Sequence, residues 1–242
     1  GTPVIGCECP VCHSSDIKNK RSRCSSIITL DNGSNILIDT SPDFKMQSMR
    51  EKINKIDAVL FTHHHADHCH GIDDLRAYCQ KYKQPIPIFA NENTMKELKL
   101  KFNYAIRDES HFWETPVLQA NIVNGPFHIE ETEIIPLPVI HGHMEILGYR
   151  IGNIAYITDV SEIPESTLEL LHDLDILLLD CLRYEPHFAH YGFKQSLEMS
   201  EKIKAKRTFF IHMTHDIEYD AVSSDLPDNV YLAYDGLQLN LN

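Results

Sequence analysis

Apolar residues recur along this chain in short, regularly broken runs, and the breaks separate strands from helices. "SIITL" and "SNILIDT" flank Asp31-Asn32-Gly33. Two β-rich runs joined through Asn-Gly predict a hairpin. "KIDAVLFT" reads as a buried strand, "GIDDLRAYCQKYK" as a helix, and "EIIPLPVI" and "GYRIGNIAYITD" as further strands. Later segments alternate: a helix in "PESTLELLHDL", a strand in "DILLLDC", a helix in "GFKQSLEMSEKIKAK", a strand in "RTFFIH", and a closing hairpin-like "NVYLAYDGLQLNL". Strands dominate early and βαβ-like alternation follows late. That mixture predicts an α/β fold of two sheets with helices outside them, not one doubly wound sheet.

Ionisable residues sit where these strands end. Asp39 follows "NILI", His63 follows "AVLFT", and His141 follows "PLPVI". Asp159 follows "IAYIT", Asp180 follows "ILLL", and His212 follows "TFFI". Strand ends carry binding groups on a rigid frame, so six such ends predict one gathered rim.

Composition narrows the setting. The chain has 242 residues, 43% hydrophobic and 24% charged, and is expected to form a single domain over 1–242. No apolar stretch approaches the roughly 20 residues that cross a bilayer, so no membrane role is expected. The formal charge of −13 opposes long nucleic acids, whose binding depends on lysine and arginine releasing counterions. A small phosphate ester stays compatible, because bound cations reverse the local sign. Seven cysteines without a secretory signal read as reduced thiols or metal ligands, which points to the cytoplasm. The chain opens on Gly1-Thr2-Pro3 without methionine, which suggests an upstream segment.

The densest chemistry is "THHHADHCHG" at 62–71, with five histidines and an aspartate in ten positions. Its ordered part is His63-x-His65-x-Asp67-His68. On an extended segment, side chains two apart project to the same side, so His63 and His65 can share one ion. Where the chain turns toward a helix, Asp67 and His68 can hold a second. Imidazole with carboxylate suits Zn²⁺, Mn²⁺ or Fe²⁺. The competing explanation, a histidine-rich surface loop, leaves the acids and histidines at the other strand ends unexplained. A second cluster, Cys7-x-Cys9-x-x-Cys12, lacks one ligand for a closed tetrahedral zinc site. His13, Cys24 and His215 are the candidates; a reduced metal-free cluster is the alternative. Alternation alone does not choose between His141 and His143.

The His-x-His-x-Asp-His signature, with "PLPVIHGH", "AYITDV" and "FFIHMTH" downstream, resembles the metallo-β-lactamase superfamily. That resemblance implies an αββα four-layer sandwich of two mixed sheets with outer helices. It places His63, His65 and His141 on one ion, Asp67, His68 and His212 on another, and Asp159 as a bridge. It also implies Asp39 as an orienting group and leaves His64 and His70 as bystanders. "GTPVIGCECPVC", "KNKRSRCSS", "LGYRI", "IHMTH" and "YDGLQL" narrow the resemblance to PhnP-type cyclic phosphodiesterases. That narrower likeness implies a structural zinc on Cys7, Cys9, Cys12 and His215, a knuckle spanning about 7–24, beside two active-site cations of Zn or Mn, or Fe. It matches a catalytic histidine best to His190, with His187 as second choice, and it implies a homodimer. The likeness thins over 85–135, a stretch expected to shape the substrate pocket, and the family's usual first strand is missing.

The expected activity is metal-assisted hydrolysis of a small phosphodiester, either phosphoribosyl 1,2-cyclic phosphate or a 2′,3′-cyclic nucleotide. Asp67 and Asp159 serve it through the cations, and His190 protonates the leaving oxygen. The rivals are a tRNA-processing endonuclease, for which a basic arm is lacking, and thioester or lactone hydrolysis. A non-catalytic zinc-binding module is the rival from a different class; it leaves the His/Asp set idle.

Overall fold

The computed structural model describes residues 1–106 and 118–241. The chain divides into two compact units, one of Gly1–Ser22 with Glu130–Asn242 and one of Arg23–Ile129. Each has its own apolar core.

The N-terminal segment belongs to the first unit. Thr2 bridges Arg21, and a one-turn helix α1 (Pro10–His13) starts from Cys9, whose Sγ accepts the Cys12 N–H. Arg21 is buried and spends its guanidinium on carbonyls. It donates to Thr214 O at 2.8 Å and Ile217 O at 2.5 Å, and to Asn19 Oδ1 at 2.9 Å. Residues 1–22 are thereby tied to the loop at 214–217.

In the second unit β1 (Ser26–Thr29) and β2 (Asn35–Ile38) form the expected hairpin, with Ser26 opposite Ile38. The Asn32 side chain accepts the Ser34 N–H at 2.9 Å, closing the turn. Helix α2 (Phe44–Arg50) and strand β3 (Ala58–Leu60) follow, then α3 (Ala66–Cys69) and α4 (Leu75–Tyr82). The unit continues with β4 (Pro87–Ala90), α5 (Glu92–Lys101), β5 (Gln119–Ile122) and β6 (Phe127–Ile129). Strands β2 to β5 pair in parallel, each with the next. Early βαβ alternation was therefore missed: α2 buries only Phe44 and Ser48, too faint a stripe to show as helix period. The core gathers Leu37, Val59, Phe61, Leu75, Ile88 and Leu98.

The first unit resumes with a long hairpin of β7 (Thr132–His141) and β8 (Met144–Ile151), followed by β9 (Ile154–Ile157), which pairs antiparallel with β8. Next come α6 (Glu165–Leu168), β10 (Ile176–Asp180), α7 (Phe193–Ile203), β11 (Arg207–Ile211), α8 (Tyr219–Ser223) and β12 (Val230–Leu232). Strands β9 to β12 run parallel, in the order β9, β10, β11, β12. The core holds Leu137, Val139, Ile157, Leu177, Leu179 and Phe210.

Two expectations shorten. The helix read over 164–174 stops after Leu168, where Arg150 Nη1 takes the Leu170 carbonyl at 2.5 Å. The closing hairpin is a single strand, because β12 pairs parallel with β11 and Asp235 turns away to accept the Ser22 N–H and hydroxyl. The architecture is nonetheless α/β with two mixed sheets and helices, as expected. Among the described residues no helix is long and apolar enough to cross a membrane.

Candidate metal centre

In the second unit, chemistry collects where the parallel pair β2 and β3 ends. Asp39 leaves β2 fully buried, with φ of 58°. A left-handed backbone at a non-glycine residue costs about 1–3 kcal/mol and persists only when its surroundings fix it. They do. Asp39 Oδ1 accepts the Thr62 N–H at 2.8 Å, and Oδ2 accepts the Thr62 hydroxyl at 2.7 Å and His68 Nδ1–H at 2.8 Å. Thr62 Oγ1 in turn lies 3.0 Å from His63 Nδ1 and accepts its proton. One carboxylate thus sets the tautomer of two imidazoles, directly and through a hydroxyl, and leaves each Nε2 as the lone-pair nitrogen. Burial pushes the Asp39 carboxyl upward, opposed by His68 and by the Thr62 bonds.

The motif is compact. The His63 ring stands 4.6 Å from His65 and 4.3 Å from His68, and Asp67 Oδ2 is 3.5 Å from His68 Nε2. His63 and His68 are buried and His65 is exposed. His70 is exposed, its ring 5.8 Å from that of Phe102, and the His64 carbonyl accepts from Lys101 Nζ.

In the first unit, β7 runs parallel to β9 through the intervening β8, so the ends of β7, β9, β10 and β11 lie along one sheet edge. His141 closes β7, and its Nδ1–H donates to Ala189 O at 2.8 Å, again freeing Nε2. Burial holds its pKa below the ordinary histidine value. His143, two residues on, is exposed in the turn. Asp159 follows β9 with φ of 53° and His212 follows β11 with φ of 61°, both left-handed like Asp39. Around the Asp159 carboxylate stand three Nε2 atoms, His212 at 3.4 Å, His190 at 3.8 Å and His141 at 4.0 Å. These separations exceed ordinary hydrogen-bond lengths, so the three rings face the carboxylate without bonding to it directly. Thr158 Oγ1 donates to Asp159 Oδ1 at 2.6 Å.

Asp180, the last residue of β10, is fully buried beneath this group. Its Oδ2 is 3.1 Å from His190 Nδ1 and its Oδ1 is 3.7 Å from His212 Nδ1. The two rings stack at 5.2 Å with planes 8° apart. Asp180 was legible only as a strand-end acid without a role; its partners are ten and thirty-two residues away. His190 is buried rather than a surface residue at a helix start, since α7 begins only at Phe193. His187 is half-buried, and its Nδ1 accepts the Ala189 N–H at 3.3 Å.

The cysteines form a separate group. Cys7, Cys9 and Cys12 Sγ lie 3.2, 3.5 and 3.4 Å from His215 Nδ1. The expected fourth member is therefore in reach, while His13 is exposed. Tetrahedral zinc, with bonds of about 2.3 Å to sulfur and about 2.0 Å to nitrogen, separates S and N by about 3.5 Å. The backbone N–H of Cys12 chiefly pushes the Cys9 thiol down to about 7. All seven cysteines are unbridged.

Both His/Asp groups are donor sets of nitrogen and oxygen, and the Nδ1 atoms of His63, His68, His141 and His190 are already engaged, the form in which imidazole binds divalent metals. With the fold, they define a metal-dependent hydrolase. The chain belongs to the beta-lactamase superfamily, whose domain model matches residues 34–213. A diphosphatase of the PhnP family is 42% identical, covering 100% of this chain and 93% of that one, with a TM-score of 0.92. Zinc-bound PqqB from Methylobacterium extorquens (20% identity, 100% and 96% coverage, TM-score 0.78) and the short form of human tRNase Z (16%, 90% and 92%, 0.69) share the fold. An octanoyltransferase of Porphyromonas gingivalis is 35% identical over 98% of this chain and 49% of its own length. The chain thus spans about half the curated relative it matches. Of the 85–135 stretch expected to shape the pocket, 107–117 lie outside the described residues.

Proposed function

We propose that this chain hydrolyses a small phosphodiester, in the first place a cyclic one such as phosphoribosyl 1,2-cyclic phosphate or a 2′,3′-cyclic nucleotide. Two divalent cations, zinc or manganese or iron, would be held by His63, His65 and His141 and by Asp67, His68 and His212, with Asp159 shared. When bound, such ions acidify water and neutralise charge growing on phosphoryl oxygens. The chain's own groups do the rest. Asp39 and Ala189 O hold His63, His68 and His141 in the tautomer that offers Nε2. Asp180 accepts the Nδ1 proton of His190, and in its doubly protonated form this ring also carries an Nε2 proton at the edge of the donor set. As water adds to phosphorus and the P–O bond to the sugar breaks, His190 gives its Nε2 proton to the departing oxygen, which leaves as a hydroxyl.

The observation that carries this reading is the third imidazole facing Asp159. The superfamily ligand pattern uses His141 and His212 and leaves His190 over, buried and backed by a carboxylate. A lone metal-storage site has no use for it. The likeness to a diphosphatase supports a second reading of the same site, cleavage of a phosphoanhydride. The likeness to an octanoyltransferase covers only about half of that protein, so octanoyl transfer is not carried over to this chain.

We further propose a structural zinc on Cys7, Cys9, Cys12 and His215, and a cytoplasmic setting for these reduced thiols. The deciding experiment measures metal content and turnover together on a panel of 2′,3′-cyclic nucleotides, phosphoribosyl cyclic phosphate, a nucleoside diphosphate, a lactone and a thioester. Cyclic diester turnover abolished in Asp159→Ala supports the first reading. Turnover confined to the diphosphate supports the second, and turnover confined to carboxyl esters overturns both.

A further inference from the structure

The loop between β10 and α7 does more than deliver His190. It is closed at its neck by Leu182 N–H donating to Tyr191 O at 3.0 Å and Phe193 N–H donating to Arg183 O at 2.8 Å. Arg183 stiffens its ascending limb, donating to the carbonyls of Glu185 and Pro186. At its tip Phe188 is 75% exposed, although the neighbouring Ala189 and His190 are buried. It is the most exposed phenylalanine or tyrosine ring among the described residues, and it stands beside the donor set. Ala189 O holds His141, and His190 is two residues away. The ring is also seated. Its Cε2 lies 3.2 Å from where a side chain on Gly142 would begin, so Phe188 rests on the bare backbone directly after His141. On another side His187 packs against it at 4.7 Å between centroids. The ring therefore has a fixed position beside the metal ligand, and most of its surface faces outward.

We propose that Phe188 is the platform on which the planar base of a nucleotide substrate stacks, making it a specificity-determining residue. The inference rests on the phosphodiesterase reading and deepens it from a cyclic diester in general to one that carries a base. An exposed flat ring attracts a base through its π-face whatever the base identity, so the preference is for a nucleoside and not for one particular base. Glycine at 142 is part of the device, since a Cβ there would crowd Phe188 Cε2 at 3.2 Å and Cδ2 at 3.4 Å, at a φ of 63° that side chains rarely adopt.

The test compares adenosine 2′,3′-cyclic phosphate with methyl ribofuranoside 2,3-cyclic phosphate, the same diester without the base, in wild type, Phe188→Ala and Phe188→Trp. In Phe188→Ala the ratio of kcat/KM values, nucleotide over base-free ester, is expected to fall about tenfold, mainly through the nucleotide KM, and in Phe188→Trp to be retained. An unchanged ratio in Phe188→Ala overturns the platform, as does a fall that Trp does not rescue. Calorimetric binding of adenosine 3′-monophosphate and methyl ribofuranoside 3-phosphate to the metal-loaded proteins keeps the two ideas separable. If wild type turns over neither ester, the hydrolytic reading fails. The platform is then judged by whether the affinity gained from the base is lost in Phe188→Ala; equal gains in the two proteins would sink it.

Discussion

Asp39 shows how much one side chain can govern. Its two oxygens accept from Thr62 twice and from His68 once, and through the Thr62 hydroxyl it also sets His63. Asp39→Asn leaves the shape but replaces an acceptor with a donor, so one of the two imidazoles loses its orienting bond. Metal affinity, read by competition with a chromogenic chelator, is expected to fall about 10- to 100-fold. An unchanged affinity would show that the imidazoles do not need the carboxylate. Asp180 plays the matching part for His190, and its other oxygen stands 3.7 Å from His212 Nδ1. If His190 supplies the leaving-group proton, His190→Ala slows alkyl phosphodiesters by about 10²- to 10⁴-fold and spares those with a p-nitrophenolate leaving group, which departs without help. Equal slowing of both would remove the proton from its account. Both carboxylates lie far in sequence from most of the rings they orient. Their positions were legible as strand ends, but their partners were not.

Between elements, the local motifs survived the passage from sequence to structure better than the element lengths did. The His63–His68 run lies within six residues, so its geometry follows from β3 ending and α3 beginning. The βαβ order around β4 and β5 stayed hidden because α2 and α5 carry weak apolar stripes, with Met46, Met49 and Leu100 exposed. The placement of α3 against the end of β2 depends on Gly71. A Cβ there would stand 2.2 Å from Ser41 O and 2.8 Å from the Phe44 Cβ, backbone and side chain that cannot easily withdraw. Thr40 N–H donates to His68 O across the same contact, and Gly71 N–H donates to Thr40 O. Gly71→Ala is expected to destabilise the protein by about 1–3 kcal/mol, the usual cost of overpacking, read as a lower denaturant midpoint. A wild-type midpoint would mean that the 40–44 segment yields without penalty.

For the whole molecule, stability and metal content are linked. Ligands that bind only the folded chain raise its melting temperature by mass action, about 4 kcal/mol at a thousandfold excess over Kd. Chelation is therefore expected to lower Tm. Cys9→Ser should remove one zinc per chain while the His/Asp cations remain, measured by metal analysis of the purified variant. Full zinc content in that variant would take Cys9 out of the ligand set. The loop at 214–217 carries His215 and is clamped by Arg21. Zinc binding is thus expected to order residues 1–22 as well, visible as slower amide exchange there.

The sequence alone determined the chemistry: which residues can bind metal, their spacing inside the 62–71 run and the cysteine knuckle, and the strands that end in acids and histidines. Ligand type and short-range spacing are properties of neighbouring residues and need no fold to be read. Tertiary structure decided which nitrogen of each ring is offered, that Asp180 backs His190, that His141 rather than His143 is buried, and that Phe188 stands open beside them. Those choices depend on hydrogen bonds and packing between segments tens of residues apart. No local pattern records them.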